Sequence, residues 1–285
     1  MLVEKAYQSL ATQLQTIYET SEALTIANWV IEHISGLKKI DRLINKQVEL
    51  NLLQTEKLNN ITKQLLQHKP IQYILNECWF AGMKFYVDEN VLIPRPETEE
   101  LINWVVEEYK ANTTAVSILD IGTGSGCIPI SIKKDLPALT VYAIDVSTEA
   151  LTVAKKNATL QNTHIHFKQL NFLDETNWNE LPKFDIIVSN PPYIAIEEKN
   201  TIQKNVIDYE PHVALFASDT NPLIFYEKIA AFATTHLNNN GKIFVEINEV
   251  YGKEVISIFE QHAFKCELKK DLQGKNRMMK AVMKH

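Results

Sequence analysis

Val116-Ser-Ile-Leu-Asp120-Ile-Gly122-Thr123-Gly124-Ser125-Gly126-Cys-Ile-Pro-Ile130 decides the fold. An apolar strand runs straight into a glycine-rich turn, and the turn opens a helix. Gly122, Gly124 and Gly126 permit a tight bend and let a ligand approach the backbone without Cβ atoms in the way. The following helix offers free N–H groups and the positive end of its dipole to a carboxylate or phosphate. Downstream, the β-rich runs LTVYAIDV, HIHFKQL, FDIIVSN and KIFVEI alternate with helical patterns, and a weaker pair of strands lies near Phe264–Leu268 and Met278–Met283. Such alternation predicts an α/β domain: an open, largely parallel sheet with helices on both faces.

The turn reads GxGxG rather than GxGxxG and lacks the Lys-Ser/Thr ending of a P-loop. Asp120, just before the glycines, can accept from an ammonium group, which a pyrophosphate-binding turn has little reason to provide. Asp145 ends the second strand 23 residues after Gly122, where its two oxygens can accept from both ribose hydroxyls. Together they predict a site for adenosine with an amino-acid-like tail. A dinucleotide site and a purely structural turn are the competing readings. After the third strand, Asn171 is placed to bond an adenine nitrogen and Phe172 to cover a ring face; the competing reading is a capping Asn beside a core Phe.

Phe184-Asp-Ile-Ile-Val-Ser-Asn190-Pro191-Pro192-Tyr193 is the most specific stretch. A buried fourth strand stops at Asn190, and two prolines with fixed φ stiffen the loop at the carboxyl edge of the sheet, where open α/β sheets place their ligands. A planar amide or amino nitrogen is a poor nucleophile because its lone pair is delocalised. The Asn190 side-chain oxygen can accept one of its N–H groups and a carbonyl near Pro191 the other. That would orient the nitrogen toward a sulfonium methyl and stabilise the positive charge it develops. Tyr193 supplies a flat apolar surface. The proton can leave after attack, so this chemistry asks for neither a general base nor a metal. A merely rigid turn is the competing reading.

Upstream, residues 2–68 read as amphipathic helices in LATQLQTIY, EALTIANWVIEHISG and NKQVELNLLQTEKLNNITKQLLQ, with Gly36 and LKKIDR as turns and Pro70 as a stop. The aromatic-rich stretch around Gly82 predicts a hairpin. The expected division is a helical substrate-recognition domain (1–70), a β-hairpin linker (71–93) and a catalytic domain (94–285). No repeat is visible, and NNNG at 238–241 reads as a turn before a strand.

Lys and Arg number 29 against 35 Asp and Glu in 285 residues, a formal charge of -6. That disfavours a broad phosphate-neutralising surface without excluding local contact; a protein partner, or a small part of an RNA-containing assembly, fits the balance more easily than bare duplex, and no stable nucleic-acid binding is expected. Residues 1–75 hold 8 basic and 7 acidic side chains, so the acidic surplus belongs to the remainder. No stretch approaches the ~20 apolar residues of a membrane span, and the first residues lack a secretory pattern. A cytoplasmic protein without membrane contact is expected. A monomer is the default without heptads. Cys78, Cys127 and Cys266 lack metal-like spacing and read as buried or incidental thiols.

With these residues in view, the whole chain resembles the bacterial release-factor glutamine methyltransferases, the PrmC or HemK family. The resemblance rests on Gln72-Tyr-Ile-Leu75, Phe80-Ala-Gly-Met-Lys-Phe85, Val91-Leu-Ile-Pro-Arg95-Pro-Glu-Thr-Glu99, the DIGTGSGC loop, Asn190–Tyr193, Tyr209-Glu-Pro211 with Ala214-Leu215, and Asp271–Gly274 with Arg277. NPPY occurs in many adenine and glutamine N-methyltransferases, and IPRPETE is far more selective. The resemblance implies a Rossmann-like class I methyltransferase domain using S-adenosyl-L-methionine and releasing S-adenosyl-L-homocysteine. It implies methyl transfer to N5 of the glutamine in the Gly-Gly-Gln loop of class 1 peptide chain release factors, the protein partner, in translation termination. Asp120, Gly122, Thr123, Gly124, Ser125, Gly126, Asp145, Asn171, Phe172 and Asn190 would then surround the cofactor, and Asn190, Pro191, Pro192 and Tyr193 would hold the glutamine. A nucleic-acid adenine N6-methyltransferase is the alternative. The chain departs from the family pattern at Asn76, Asn171, Asn221-Pro222 and Tyr251.

Arg95, Glu97 and Glu99 read as an ion-pair or helix-start cluster rather than as catalytic groups. Trp29 reads as core, His164 and His166 as packing or surface groups, and Asp185 as outside the reaction. His33, His68, His212, His236, His262 and His285 form no recognisable triad.

Overall fold

The computed structural model describes residues 1–111, 116–195, 198–199, 203–217 and 221–284. The chain divides into two compact units, Met1–Asn76 with Lys204–Tyr209, and Glu77–Gln203 with Glu210–His285.

In the first unit, α1 (Val3–Leu14), α2 (Thr20–Ser35), α3 (Lys39–Ile44), α4 (Leu52–Leu66) and α5 (Ile71–Leu75) enclose one apolar core, to which α1 gives Leu10 and Leu14, α2 Val30 and Ile31, and α4 Ile61 and Leu65. The buried stripe of α2 is Ala23, Ile26, Ala27, Val30, Ile31 and Ile34. Trp29 falls off that stripe and is 45% exposed, so it is not core. LKKIDR is not a plain turn: α3 forms there, with Asp41 accepting from the Lys38 N–H. The third predicted helix begins later than its apolar pattern, because Asn51 and Gln54 exchange side-chain to backbone hydrogen bonds in a capping box that starts α4. Residues 71–75, assigned to the linker from sequence, are helical and belong to this unit. Pro70 caps α5 at its start and Asn76, at φ +54°, ends it in the left-handed region. Asparagine tolerates that conformation better than most residues other than glycine, which accounts for its standing at a glycine position of the family pattern.

The second unit opens with the hairpin β1 (Cys78–Phe80) and β2 (Met83–Phe85). Its two-residue loop, Ala81-Gly82, has φ of +48° and +70°, as a type I′ turn requires. Then follow α6 (Pro96–Tyr109), β3 (Ser117–Ile121), α7 (Cys127–Asp135), β4 (Thr140–Asp145), α8 (Thr148–Leu160), β5 (His166–Gln169) and β6 (Phe184–Ser189). The short α9 (Lys204–Ile207) belongs with the first unit, where the Tyr209 hydroxyl donates to the Gln67 carbonyl. The chain closes with α10 (His212–Leu215), α11 (Ile224–His236), β7 (Leu237–Glu246), α12 (Gly252–Gln261), β8 (Phe264–Lys270) and β9 (Asn276–Met283).

The seven strands lie in the order β5-β4-β3-β6-β7-β9-β8, parallel from β5 to β7 and antiparallel at β9 and β8. Alternate residues feed two cores: Leu119, Ile187 and Ile243 face Tyr226, Phe232 and Phe259, while Ile118, Ile186 and Phe244 face Leu101, Trp104 and Ile130. Helices therefore cover both faces, as the near-continuous apolar strands predict. NNNG is not simply a turn before a strand. It lies inside β7 as an irregularity, since Phe184 pairs with Leu237 and Ile186 with Lys242, and Asn240 takes φ +64°. Asp185 accepts from the Ser117 N–H and hydroxyl and from the Asn238 amide, a structural clasp at the start of β3 and β6.

The fully buried Asn157 of α8 ties the segment after the hairpin to the glycine loop. It accepts from the Tyr86 N–H and donates to the carbonyls of Tyr86 and Ser125. Asn157→Ala strands three backbone groups at a cost of ~1–3 kcal/mol for a single buried orphan. Urea denaturation is expected to show a loss of roughly 2–4 kcal/mol; a change below about 0.5 kcal/mol would show that water satisfies these groups without the side chain.

Candidate active site

A cavity of about 230 Å³ opens at the carboxyl ends of β3, β4 and β6 in the second unit. The strand order reverses between β3 and β6, so this is the switch point where α/β sheets take ligands. Parallel pairing aligns Ile121 with Ser189, and the Ser189 hydroxyl donates to the Ile121 carbonyl at 2.8 Å. The next residues, Gly122 and Asn190, therefore both emerge at the cavity.

The glycine loop is anchored from behind. The N–H groups of Gly122 and Thr123 share the Ile144 carbonyl, and the Gly126 N–H returns to the Thr123 carbonyl. Gly122 and Gly124 have φ of +74° and +51°, with nothing within 4 Å of where a Cβ would stand, and both line the cavity. Gly126 differs: a Cβ there would press on Ile130 and Ala154 at 3.0–3.1 Å, so it serves the packing of α7 on α8. Thr123 and Ser125 are buried behind the loop.

Asp120 is fully buried, and neither its oxygens nor the Thr123 hydroxyl has a hydrogen-bond partner among the described residues. Burial, opposed by the nearby Thr123 hydroxyl and reinforced by the Asp145 charge, pushes its carboxyl up to about 7. An orphaned buried acceptor behind a glycine loop that offers the cavity no side chain is chemically suited to a cationic tail. Asp145 lies at the cavity wall, one oxygen accepting from the Gly124 N–H at 2.8 Å and the other from the Ser147 N–H at 3.0 Å. Each keeps a lone pair for a further donor. Burial raises this carboxyl too, against those two hydrogen bonds.

Asn171 and Phe172 both line the cavity. Asn171 also caps its own turn, accepting from the Leu173 N–H, and Phe172 packs against Trp178 and Phe232. The structural readings of these residues and a place in the cavity wall therefore hold together.

At Asn190 the side-chain Nδ2 donates to the Thr98 hydroxyl at 3.2 Å, and no described residue donates to its Oδ1. Pro192 joins it on the cavity wall; Pro191 and Tyr193 do not. The Tyr193 hydroxyl instead donates to buried Glu246 at 3.3 Å, and burial holds the phenol above its ordinary range. Thr98 and Glu246 escaped the sequence reading. The signal for Thr98 lies inside IPRPETE, where Pro96 starts α6 and sets Thr98 on its buried side. Glu246, by contrast, looks like any acidic residue at a strand end.

The cavity rim also draws Val91, Leu92, Pro211 and Phe216 from distant segments. Two of these segments are clamped by Glu210, which accepts from the Ile93 N–H and pairs with Arg95 at 2.7 Å. Burial lifts the Glu210 carboxyl even against the pull of Arg95. Glu99 accepts from the Ala81 N–H. Arg95 and Glu99 thus have structural partners. No group of three or more potential metal ligands occurs among the described residues. His285 lies outside those residues.

Residues 101–213 match the model of the methyltransferase small domain, and residues 5–75 that of the PrmC N-terminal domain. The release factor glutamine methyltransferase of Flavobacterium psychrophilum is 44% identical over 283 residues, spanning 98% of this chain and 99% of its own. That of Streptococcus pneumoniae is 39% identical over 98% of both chains. A methyltransferase structure from Pyrococcus furiosus shares the fold, with a TM-score of 0.52 at 17% identity, across 78% of this chain and 97% of that one. On near full-length identity of this degree, the chain belongs to the release factor glutamine methyltransferase family.

Proposed function

We propose that this protein transfers a methyl group from S-adenosyl-L-methionine to N5 of the glutamine in the Gly-Gly-Gln loop of class 1 peptide chain release factors, acting as a cytoplasmic monomer. The observation that carries the reading is the amide of Asn190, a residue of the cavity wall, committed through Nδ2 to Thr98 and leaving Oδ1 without a donor among the described residues.

When bound, S-adenosyl-L-methionine supplies an electrophilic methyl on a sulfonium. Gly122 and Gly124 would admit its backbone-like tail, Asp120 would face the ammonium, Asp145 would receive the ribose hydroxyls, and Asn171 and Phe172 would border the adenine. Asn190 Oδ1 would accept one N–H of the glutamine amide, and a carbonyl near Pro191 the other. These two bonds hold the nitrogen in one orientation and favour the cationic form it acquires on attack. Tyr193, pinned by Glu246, stiffens the loop. The N-terminal unit is the proposed contact for the protein acceptor; no helix among the described residues is long and apolar enough to cross a membrane.

Mass spectrometry of a release factor incubated with S-adenosyl-L-methionine and this protein is expected to find one added methyl on the Gly-Gly-Gln glutamine. Asn190→Ala should lower that rate by roughly a hundredfold or more. Methyl on adenine of a DNA or RNA panel, with none on the protein, would replace this reading with the adenine N6 alternative.

A second expectation comes from Asp120. Between its ordinary 3.8 and about 7 the folded protein holds a proton there that the unfolded chain has lost. This group's contribution therefore lowers stability as pH rises through that window. An ammonium partner favours the ionised carboxylate, so cofactor binding near pH 6.5 should release a proton. Calorimetry in buffers of differing ionisation enthalpy should detect the release in the wild type and less of it in Asp120→Asn. Equal release from both would remove Asp120 from the tail site.

A further inference from the structure

We infer that Thr98 and Glu246 are positioning residues that decide which end of the Asn190 amide faces the acceptor nitrogen. The inference rests on the methyl-transfer reading above and adds to it the device that makes Asn190 an acceptor rather than a donor.

An asparagine amide presents oxygen at one end and NH₂ at the other, and nothing in its own shape selects between them. A threonine hydroxyl has one proton. Here Thr98 Oγ1 spends that proton on Glu246 Oε2 at 2.7 Å, so toward Asn190 it offers only lone pairs. The atom it meets, 3.2 Å away, must then be Nδ2. The oxygen end is left for the substrate, where an amide N–H needs an acceptor. A reversed amide would set NH₂ against NH₂ and forfeit one of the two bonds that orient the nitrogen.

The relay is built rather than incidental. Thr98 is 2% exposed and Glu246 2%. The other oxygen of Glu246 accepts from the Tyr193 hydroxyl at 3.3 Å, and its carbonyl accepts from the Tyr226 hydroxyl at 2.9 Å. Arg277 on β9 attracts the carboxylate and Glu97 on α6 opposes it. One charged group thus fixes both the tyrosine and, through Thr98, the asparagine of the NPPY loop. With Glu246 ionised, the chain of donors runs from Asn190 to Thr98 to Glu246. A protonated Glu246 can donate to Thr98 instead, which frees the threonine proton to turn toward Asn190 and draw Oδ1 away from the substrate. Burial holds this carboxyl up at about 7, so the direction of the chain is open to pH near neutrality.

The test is steady-state methylation of a release factor by the wild type, Thr98→Val and Thr98→Ser, with cofactor affinity measured separately by calorimetry. Valine matches threonine in shape but carries no hydroxyl. The expected result is a kcat lowered roughly tenfold to a hundredfold in Thr98→Val, with cofactor affinity within about twofold, and recovery of most of the rate in Thr98→Ser. An active wild type matched by an equally active Thr98→Val overturns the relay, as does a loss that serine does not restore. A wild type inactive on release factors overturns instead the reading beneath it. Should Thr98→Val fail to fold, Glu246→Gln decides through kcat against pH at saturating cofactor. Glutamine can still accept from Thr98 but does not titrate, so the fall in kcat below about pH 7 should flatten; the wild-type profile retained in Glu246→Gln overturns the relay.

Discussion

The parallel pairing of β3 with β6 is the constraint on which the site depends. It sets Ile121 beside Ser189, and the Ser189 hydroxyl locks the two strand ends together. Each strand then releases its functional loop at the next residue, Gly122 from one and Asn190 from the other. Slipping the pair by one residue would exchange the faces of every side chain in β6. It would turn Ile187 away from Phe232 and Ile186 away from Trp104, so the two apolar cores enforce the same register that the site needs. Packing energy, gathered far from the cavity, thereby positions the glycine loop against the Asn190 loop, the two proposed to hold the methyl donor and the acceptor.

Around this junction the second unit buries several carboxylates, among them Asp120 ahead of the glycine loop and Glu246 against Tyr193. The Asp120 oxygens have no hydrogen-bond partner among the described residues, whereas the Glu246 carboxylate accepts from the hydroxyls of Thr98 and Tyr193, yet burial raises both to about 7. The difference suits different tasks. An orphaned acid behind the glycine loop keeps its capacity for an incoming cation, whereas a satisfied one stiffens the residues it touches. Arg95 and Glu210 perform a third task, joining the start of α6 to the segment before α10 and so building the cavity rim.

Much of this was legible in the sequence because it depends on local rules. Strand, glycine turn and helix follow one another in order, apolar runs mark a buried sheet, and Asn-Pro-Pro-Tyr stops a strand with a rigid loop. Gly122, Gly124, Asp145, Asn171, Phe172, Asn190 and Pro192 all line one cavity. What stayed hidden depends on partners far along the chain. Thr98 reaches Glu246 across 148 positions, and Arg95 reaches Glu210 across 115. No periodicity links such residues. The misread elements have local causes of their own: Trp29 sits one step off the buried stripe of α2, the Asn51 capping box delays α4, and the NNNG segment bulges within β7 rather than preceding it.

Methyl transfer as proposed requires Asn190 to present oxygen, not nitrogen, to a glutamine amide lying beside the cofactor loop. A crystal structure with S-adenosyl-L-homocysteine and a peptide containing Gly-Gly-Gln would show which atom meets the glutamine. The glutamine nitrogen is expected within about 3 Å of Asn190 Oδ1 and of a carbonyl near Pro191, with Nδ2 still on Thr98. A peptide seated elsewhere, or an Asn190 turned with Nδ2 toward the glutamine nitrogen, would contradict it.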